Sequence, residues 1–288
     1  MSIWFPGSVG RPAPELSSGP IPNSLIVNQV CGQSAVLSAR SVAPVRILVP
    51  RPRGTSVWCF GSSLGGGLVA GDQTRLEIDV GPASRCFWGT QSSTKVYRNP
   101  HRLPCRQDLT ASVAARAVFV CLPDLVQLFA DSTFEQQQSF SLAADASLVL
   151  LDGLSSGRSA CGERWAFNRY CSRVEIRVGG DLCYWDTLRL DSSDKSIAGP
   201  QRLGRFNTLS TLILIGPEVS TAVASLLESV AQRPVFRRSN LNVSTHPIRG
   251  GALLRVAAES VESAHREIRS HLGFLSALLG DNPFARKW

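Results

Sequence analysis

The stretch that decides the fold is GSSLGGGLVAGDQTRLEIDVGPASRCFWGTQSSTKVYR, residues 61–98. A glycine-rich run closes on Asp72, and apolar residues then alternate with acidic ones in LEIDV. This alternation predicts a half-buried strand over 74–80, because successive side chains of a strand point to opposite faces. A Gly-Pro turn and a second predicted strand, 85–89, follow. We interpret the glycines as a tight β-corner that needs positive φ or close backbone approach.

Two nucleotide-binding interpretations of the glycine run compete with the β-corner. A Walker A loop needs a lysine where Asp72 stands, and a carboxylate there would repel phosphate. A dinucleotide fingerprint needs a strand before the glycines and a helix after them. A nucleotide-dependent oxidoreductase that uses GGGLVAG stays the alternative function. A helix directly after Gly71 would favour that alternative, and a strand there would argue against it.

Short predicted strands, separated by turn residues, continue on both sides of this stretch. The predicted strands are 25–30, 35–38, 45–49, 56–60, 74–80, 85–89, 109–112, 117–122, 140–142, 147–151, 173–178 and 182–190. Such closely spaced strands without intervening amphipathic helices are typical of a mainly β domain. The residues alone do not distinguish a sandwich, a barrel and a β-helix.

The last eighty residues have a different character. The apolar run 209–215 predicts a buried strand, and a helix with Pro217 in its first turn follows. A further strand is predicted over 251–258, and a second helix over about 261–279, ended by Gly280.

These patterns predict three parts of the chain. Residues 1–24, rich in proline, glycine and serine, are predicted to be a disordered tail. Residues 25–208 are predicted to form the β-rich core. Residues 209–288 are predicted to be a small C-terminal α/β part, strand-helix-strand-helix, packed on that core.

The net charge of +8 comes from 30 basic and 22 acidic residues, and nearly all the basic ones are arginine. A basic chain can bind nucleic acid. Here the arginines are scattered and no nucleic-acid motif is recognisable, so a nucleic-acid-binding module is only a third possibility. Arginine is also favoured where proteins meet, which suits acidic protein partners. No apolar run approaches the length of a membrane span, and we expect neither a nucleic-acid nor a membrane partner.

Eight cysteines are present and none lies in a C-x-x-C pair or at zinc-finger spacing to a histidine. The N-terminus lacks the basic and apolar regions of a signal peptide. We therefore expect reduced thiols and a cytoplasmic location.

The chain shows no enzyme signature. Its four histidines form no H-x-H or H-E-x-x-H pair, and there is no G-x-S-x-G. Four carboxylates are more informative: Asp152 and Asp186 fall in apolar strand runs, Asp72 closes the glycine corner, and Glu163 lies in a loop. Each could point to solvent or pair with an arginine such as Arg158, Arg164 or Arg189. Alternatively, some could line a water-filled passage for a cation.

Four sequence motifs resemble the signatures of one family. GGGLVAGD followed by TQSSTKVYR resembles the paired signature of the urease accessory protein UreD, called UreH in some systems. LPD and then GLSSGRSACGERWAF resemble the next two signatures, in the same order, and the likeness covers about residues 25–280. The residues that carry it are Gly66, Gly67, Gly71, Asp72, Gln91, Ser92, Thr94, Lys95, Tyr97, Pro123, Asp124, Gly157, Arg158, Gly162 and Glu163.

The resemblance implies both a fold and a function. The fold would be a right-handed β-helix-like stack of strands. The function would be that of a non-catalytic chaperone which helps to deliver nickel to apo-urease. Its partners would be apo-urease, a UreF-like accessory protein and, through that protein, a UreG-like GTPase, with self-association within the complex.

The resemblance also implies a route for the metal. Nickel would be in transit and no cofactor tightly bound. By their match to polar or acidic sites of the family, Asp72, Thr94, Asp152 and Asp186 would line this nickel route.

Overall fold

The structure is a computed structural model that describes residues 21–51, 54–99, 101, 103–236 and 238–286. These residues form one sheet of seven strands and a second sheet of ten. In chain order the strands are β1 (Asn23–Val30), β2 (Gln33–Arg40), β3 (Val45–Leu48), β4 (Val57–Ser63), β5 (Gln73–Val80), β6 (Arg85–Thr90), β7 (Lys95–Val96), β8 (Cys105–Val113), β9 (Val118–Leu122), β10 (Val126–Leu128), β11 (Thr133–Leu142), β12 (Ser147–Ser155), β13 (Arg169–Val178), β14 (Asp181–Asp191), β15 (Thr208–Ile215), β16 (Leu241–Ile248) and β17 (Gly251–Ala258).

Parallel strands stack into a solenoid in the middle of the molecule. In the first sheet β5, β8, β11 and β13 lie side by side, and in the second sheet β4, β6, β9 and β12 do so. The chain alternates between the two sheets, so that each coil contributes one strand to each. The short strands β7 and β10, with a bridge from Leu68 to Val96, form a third wall. The β-helix-like stack of about four turns confirms the predicted fold class.

The corner between the two sheets repeats from coil to coil. Ser84 N–H donates to the carbonyl of Gly81, and the next two corners make the same bond from Ala117 to Ala114 and from Ala146 to Ala143. Short side chains fit these turns, where the chain must reverse within four residues. The turn-forming Gly-Pro pair at 81–82 therefore lies at a corner whose equivalents in the later coils contain alanines.

Antiparallel strands complete both ends of the stack. The hairpin β1–β2 joins the first sheet through parallel pairing of β1 with β5. At the other end β14 pairs with β13, while β15, β17 and β16 continue the second sheet beyond β12. The C-terminal strands thus extend a sheet of the core.

Three helices cover the outer face of the second sheet: α1 (Ser220–Ala231), α2 (Val261–Ser270) and α3 (Leu275–Leu279). The prediction of one continuous helix over 261–279 is wrong, because the chain turns between α2 and α3. Gly273, a poor helix former, lies in that turn, where Leu272 is buried against the sheet. Gly280 ends α3 at a φ of 77°, as the sequence predicts. Within the described part of the chain, each helix is too short or too polar to cross a bilayer.

Three apolar clusters form the core. The first lies between the two sheets and includes Leu76, Trp88, Phe119 and Leu150. The second lies between the second sheet and the helices. The third fills the inside of the third wall and contains Leu68, Val96, Leu128, Leu154 and Tyr170.

A comparison of two N-terminal deletions tests where the fold begins. The range 1–20 lies outside the described residues, whereas buried Asn23 donates to Arg75 O at 3.0 Å and accepts from Val42 N at 2.6 Å. We expect deletion of 1–20 to leave the urea midpoint unchanged, since its composition offers no core periodicity. Deletion of 1–24 should lower the free energy of unfolding by about 1–3 kcal/mol, because two partly buried backbone groups lose their hydrogen-bond partner. Equal midpoints would contradict this expectation.

Candidate functional site

Polar side chains form a layer across the interior of the first sheet. Strand register places Thr74 beside Gln107, Gln107 beside Gln136, and Gln136 beside Ser172, on β5, β8, β11 and β13. Thr74, Gln136 and Ser172 are buried, and apolar cluster residues lie two positions away on their strands: Leu76, Phe134, Tyr170 and Val174. The layer therefore lies between the first and third apolar clusters.

The second sheet supplies the facing wall of this layer. Along β6 and β12 the inward positions run through the apolar Trp88 and Leu150 and then reach Thr90 and Asp152, two residues further on. The inward-facing residues of these two strands are thus apolar at first and end with a hydroxyl on β6 and a carboxylate on β12. Both side chains face the glutamine-bearing side of the first sheet.

The two walls enclose a cavity of about 90 Å³ that is lined by both polar and apolar residues. Since one water needs roughly 10–15 Å³ of such space, the cavity has room for several water molecules. It runs from Ser62 and Ser63 on the first coil to Asp152 on the fourth, and it touches the third wall. The polar residues around it are Asn23, Ser62, Ser63, Thr74, Thr90, Ser92, Thr94, Gln107, Asp124, Gln136, Gln138 and Asp152.

Asp152 is a half-buried carboxylate that lines this cavity, as Asp124 also does. Its Oδ1 accepts hydrogen bonds from Gln136 Nε2 at 2.6 Å and from Gln138 Nε2 at 2.9 Å, and its Oδ2 accepts one from Ser172 Oγ at 3.2 Å. Burial raises the pKa of the Asp152 carboxyl, while these three donors oppose that rise because they favour the ionised form. Protein atoms surround the Asp152 carboxylate on most sides, and its remaining side faces the cavity.

Cys121 also lines the cavity, between Trp88 and Leu150 in the strand register. Burial raises the pKa of the Cys121 thiol, and the nearby Asp152 carboxylate adds to the effect. The thiol therefore stays protonated near neutral pH, and a protonated thiol is a poor metal ligand.

The predicted site residues fall into different places. Thr94 lines the cavity together with Asp152. Asp72 lies at the glycine corner, away from the cavity wall, where its Oδ2 accepts from Val69 N at 2.8 Å. The structure thus brings two of the four predicted residues to one cavity and leaves Asp72 in a turn-capping position.

Asp186 lies where the polar layer reaches the C-terminal end of the stack. In the second sheet Asp152 on β12 pairs with Thr211 on β15, and Thr211 pairs with Arg255 on β17. The Nη2 atom of Arg255 is 2.8 Å from Asp186 Oδ2. Tyr184 also donates its hydroxyl to Asp186, at 3.0 Å, and burial raises the pKa of Tyr184 to about 12. Asp186 is therefore paired with an arginine, Arg255, as one of the two interpretations of the sequence expects.

The motif residues of the first two signatures meet on the third wall. Leu68 bridges to Val96, and Val96 pairs with Leu128. Tyr97 donates its hydroxyl to Gly65 O at 3.1 Å, and a side chain at Gly67 would come within 2.8 Å of Lys95 O. The glycines thus allow two loops to touch, which is the β-corner that the sequence predicts. The strand β5 follows this corner, with Asp72 between it and Gly71, which argues against a dinucleotide fingerprint.

Hydroxyl and amide residues of the motifs connect neighbouring coils. Ser62 donates its hydroxyl to Gln91 Oε1 at 2.7 Å. The backbone N–H of Asp124, just after Pro123, donates to Thr90 Oγ1 at 2.8 Å. These bonds hold the loops beside Ser92 and Thr94 over the cavity.

The last signature forms a loop that closes the stack. Arg158 donates Nε to Glu163 Oε2 at 3.0 Å, and the same oxygen accepts from Ala130 N at 3.1 Å. The Arg158 guanidinium lowers the pKa of Glu163 below its usual range. Arg158 also stacks over the ring of Phe129, 4.2 Å from its centre. Gly157, Gly162 and Trp165 all have positive φ in this loop.

Sequence reasoning missed Gln136 and Gln138, the main donors to Asp152. The predicted strand began only at 140, whereas β11 begins at Thr133. The signal was present, because Phe134, Phe140 and the two glutamines share one face at a spacing of two residues. From sequence alone, glutamine suggests a position that faces solvent, so the regular two-residue spacing of this face was not recognised.

All eight cysteines are free in the structure. We expect every thiol to react with an alkylating agent after unfolding without reductant, since oxidised pairs are rare in a reducing compartment. Mass spectrometry of the native protein, alkylated in denaturant, would show eight adducts. Two or more native disulfides would contradict the cytoplasmic assignment.

The fold and the cavity together define a β-solenoid with an internal cavity that is lined in part by hydroxyl, amide and carboxylate side chains. The part of the chain that the structure describes contains no group of three or more His, Cys, Asp or Glu placed to hold a metal ion. A family model described as "UreD urease accessory protein" matches residues 24–288.

Curated relatives carry the same description. The chain is 46% identical to the urease accessory protein UreD of Sorangium cellulosum, over 92% of this chain and 83% of the relative. It is 39% identical to that of Anaeromyxobacter sp., over 97% and 93%, and 31% identical to urease accessory protein D of Arabidopsis thaliana, over 91% and 98%. The chain belongs to the UreD urease accessory protein family. Membership in a family of accessory proteins supports the prediction that the chain is not an enzyme.

Proposed function

We propose that this chain is a non-catalytic urease maturation factor that passes a nickel ion through its polar cavity towards the urease active site. The observation that supports the proposal is the cavity, which lies between two apolar clusters and is lined by two carboxylates, Asp124 and Asp152. A solenoid core without a polar task would be apolar throughout, because a buried carboxylate costs free energy. Nickel is cargo in this proposal and no resident metal is needed.

The cavity wall suits a cation that must not be retained. Nickel is a borderline divalent ion that gives up its hydration shell reluctantly, so a passage needs water and oxygen ligands. Hydroxyl, amide and carboxylate oxygens offset part of the dehydration without forming a tight site. Thr94 and Asp152 would contact the ion inside the cavity. Asp186, paired with Arg255, would contact it near the end of the polar layer.

The proposed partners follow the family. We propose that the chain binds apo-urease and a UreF-like accessory protein, through which a UreG-like GTPase would act, and that copies of the chain associate within that complex. The cytoplasm is the proposed location, which the eight free cysteines suit.

Part of the positive charge is paired locally with carboxylates. On the outer face of the first sheet arginines alternate with carboxylates, as in the pairs Arg75–Glu77, Arg106–Asp108 and Arg177–Glu175. Such local pairing neutralises the charge that would otherwise attract phosphates. We therefore propose protein partners and no nucleic acid.

Copurification tests the partner half of the proposal. Tagged chain, coexpressed with the structural subunits of urease and its other accessory proteins, should retain apo-urease at up to physiological salt. Urease made without the chain should contain little nickel. Failure to retain urease, with every component expressed and soluble, would overturn the partner assignment.

Chelation tests the passage. A preassembled complex loaded with nickel should activate urease even when EDTA is added just before GTP, because a chelator of that size does not fit a cavity of about 90 Å³. Free nickel under the same EDTA should activate nothing. Equal inhibition of both reactions would mean that the ion travels through bulk solvent.

A further inference from the structure

Asp152 has few lone pairs left for a cation. A carboxylate offers about four acceptor positions on two oxygens. Two amide N–H groups occupy Oδ1, from Gln136 at 2.6 Å and Gln138 at 2.9 Å, and the Ser172 hydroxyl occupies one position of Oδ2 at 3.2 Å. One position therefore stays open, which permits a single contact and excludes bidentate binding.

The donors are fixed in place. Gln136 and Ser172 are direct neighbours in the pairing of β11 with β13, and Gln136 Nε2 also lies 2.8 Å from Ser172 Oγ. Gln138 follows on the same face of β11 and is buried. The strand ladder holds the backbones of all three residues in register, and the bond between Gln136 and Ser172 restrains the Gln136 amide.

We propose that Gln136, Gln138 and Ser172 form a clamp on Asp152 that makes this carboxylate a brief contact for a passing divalent cation instead of a retention site. This inference rests on the proposed function and deepens it. The three are positioning residues, since they act on the ion through Asp152. The clamp separates two requirements of a passage: a negative charge that lowers the barrier, and weak coordination that lets the ion leave.

Gln138→Leu tests the clamp. Loss of one charge-assisted donor frees a lone pair of Oδ1 and makes the carboxylate more basic, so nickel should be held more tightly. We expect roughly tenfold higher affinity for Ni²⁺ alone, measured by equilibrium dialysis on the purified full chain at constant pH. Nickel dissociation, followed by transfer to a chromogenic chelator, should slow by a similar factor.

Two controls isolate the mechanism. Gln107→Leu removes an amide from the same cavity wall and makes none of the three bonds, so nickel affinity should stay at the wild-type value. Gln138→Leu in an Asp152→Asn background should show no gain, because the freed ligand is absent. A purely structural role of Gln138 would alter stability and would not produce a gain that depends on Asp152.

The result that would overturn the clamp is wild-type affinity in Gln138→Leu, or an equal gain in the Asp152→Asn background. The proposed passage fails by a different measurement, namely full nickel loading of urease by a chain without the cavity carboxylate. Tighter nickel binding by Gln138→Leu together with such full loading would support the clamp and reject the passage.

Discussion

Urease matured with the Asp152→Leu/Asp186→Leu double variant is expected to be poor in nickel, although the variant still binds its partners. Leucine removes the carboxylates of Asp152 and Asp186, so the ion loses negative charge that offsets its dehydration. Each 1.4 kcal/mol added to the barrier slows passage tenfold, and we expect the nickel content of urease to fall roughly tenfold or more. Metal analysis of purified urease measures this directly, and excess nickel should restore part of the activity.

The double variant is expected to fold. Leucine is close to aspartate in size, and removal of the desolvation cost of the Asp152 charge offsets the loss of its three hydrogen bonds. Cavity water can satisfy the amides that remain. At Asp186 the partner Arg255 is half-exposed, so solvent takes over its charge.

Asp79→Leu/Asp181→Leu is the matched control. Both carboxylates are exposed, one on β5 and one on β14, and Asp181 also pairs with an arginine, Arg249, at 2.9 Å. This control should mature urease normally. Full maturation by the cavity variant would mean that Asp152 and Asp186 are ordinary carboxylates, and loss of copurification would mean that they hold the fold or an interface.

Among glycine-to-alanine substitutions in the signature loops, Gly157→Ala should cause the largest loss of stability. A Cβ at position 157 would lie 2.5 Å from Leu128 O and 2.9 Å from Glu163 O, and the backbone has a φ of +100°. Positive-φ strain and overpacking against two carbonyls add, and we expect a loss of about 2–5 kcal/mol in the free energy of unfolding. Urea denaturation measures the loss.

Gly162→Ala separates strain from contact. Gly162 lies in the same loop at a φ of +79°, and a Cβ there would meet nothing within 4 Å. Its replacement should cost only about 1–2 kcal/mol, from the left-handed backbone alone. Equal losses at the two positions would show that the close approach of Gly157 to β10 contributes nothing.

The sequence predicts local structure well where one rule suffices. The strand at 74–80 alternates cleanly, and β5 covers Gln73–Val80. The predicted strand at 251–258 coincides with β17, because its apolar residues are buried on both faces. Turn residues separate these strands from their neighbours, so their ends are marked as well.

Long-range register is what the sequence conceals. Nothing near Asp152 in the chain indicates that Gln136, Gln138 and Ser172 will meet it, because parallel pairing across coils decides those contacts. Asp152 could be predicted as a candidate from its apolar surroundings. Its partners could not, since inward glutamines look like surface residues until the stack is assembled.

The stacking of coils also sets the length of the cavity. Neighbouring strands of the solenoid carry the residues of the polar layer, and these strands are spaced by about 4.8 Å. Duplicating a coil would lengthen the enclosed water column by one such step and leave the chemistry of its wall unchanged. Inserting a single residue within a strand would instead turn the following side chains to the opposite face and break the column. The length of this cavity can therefore change only by the addition or removal of whole coils.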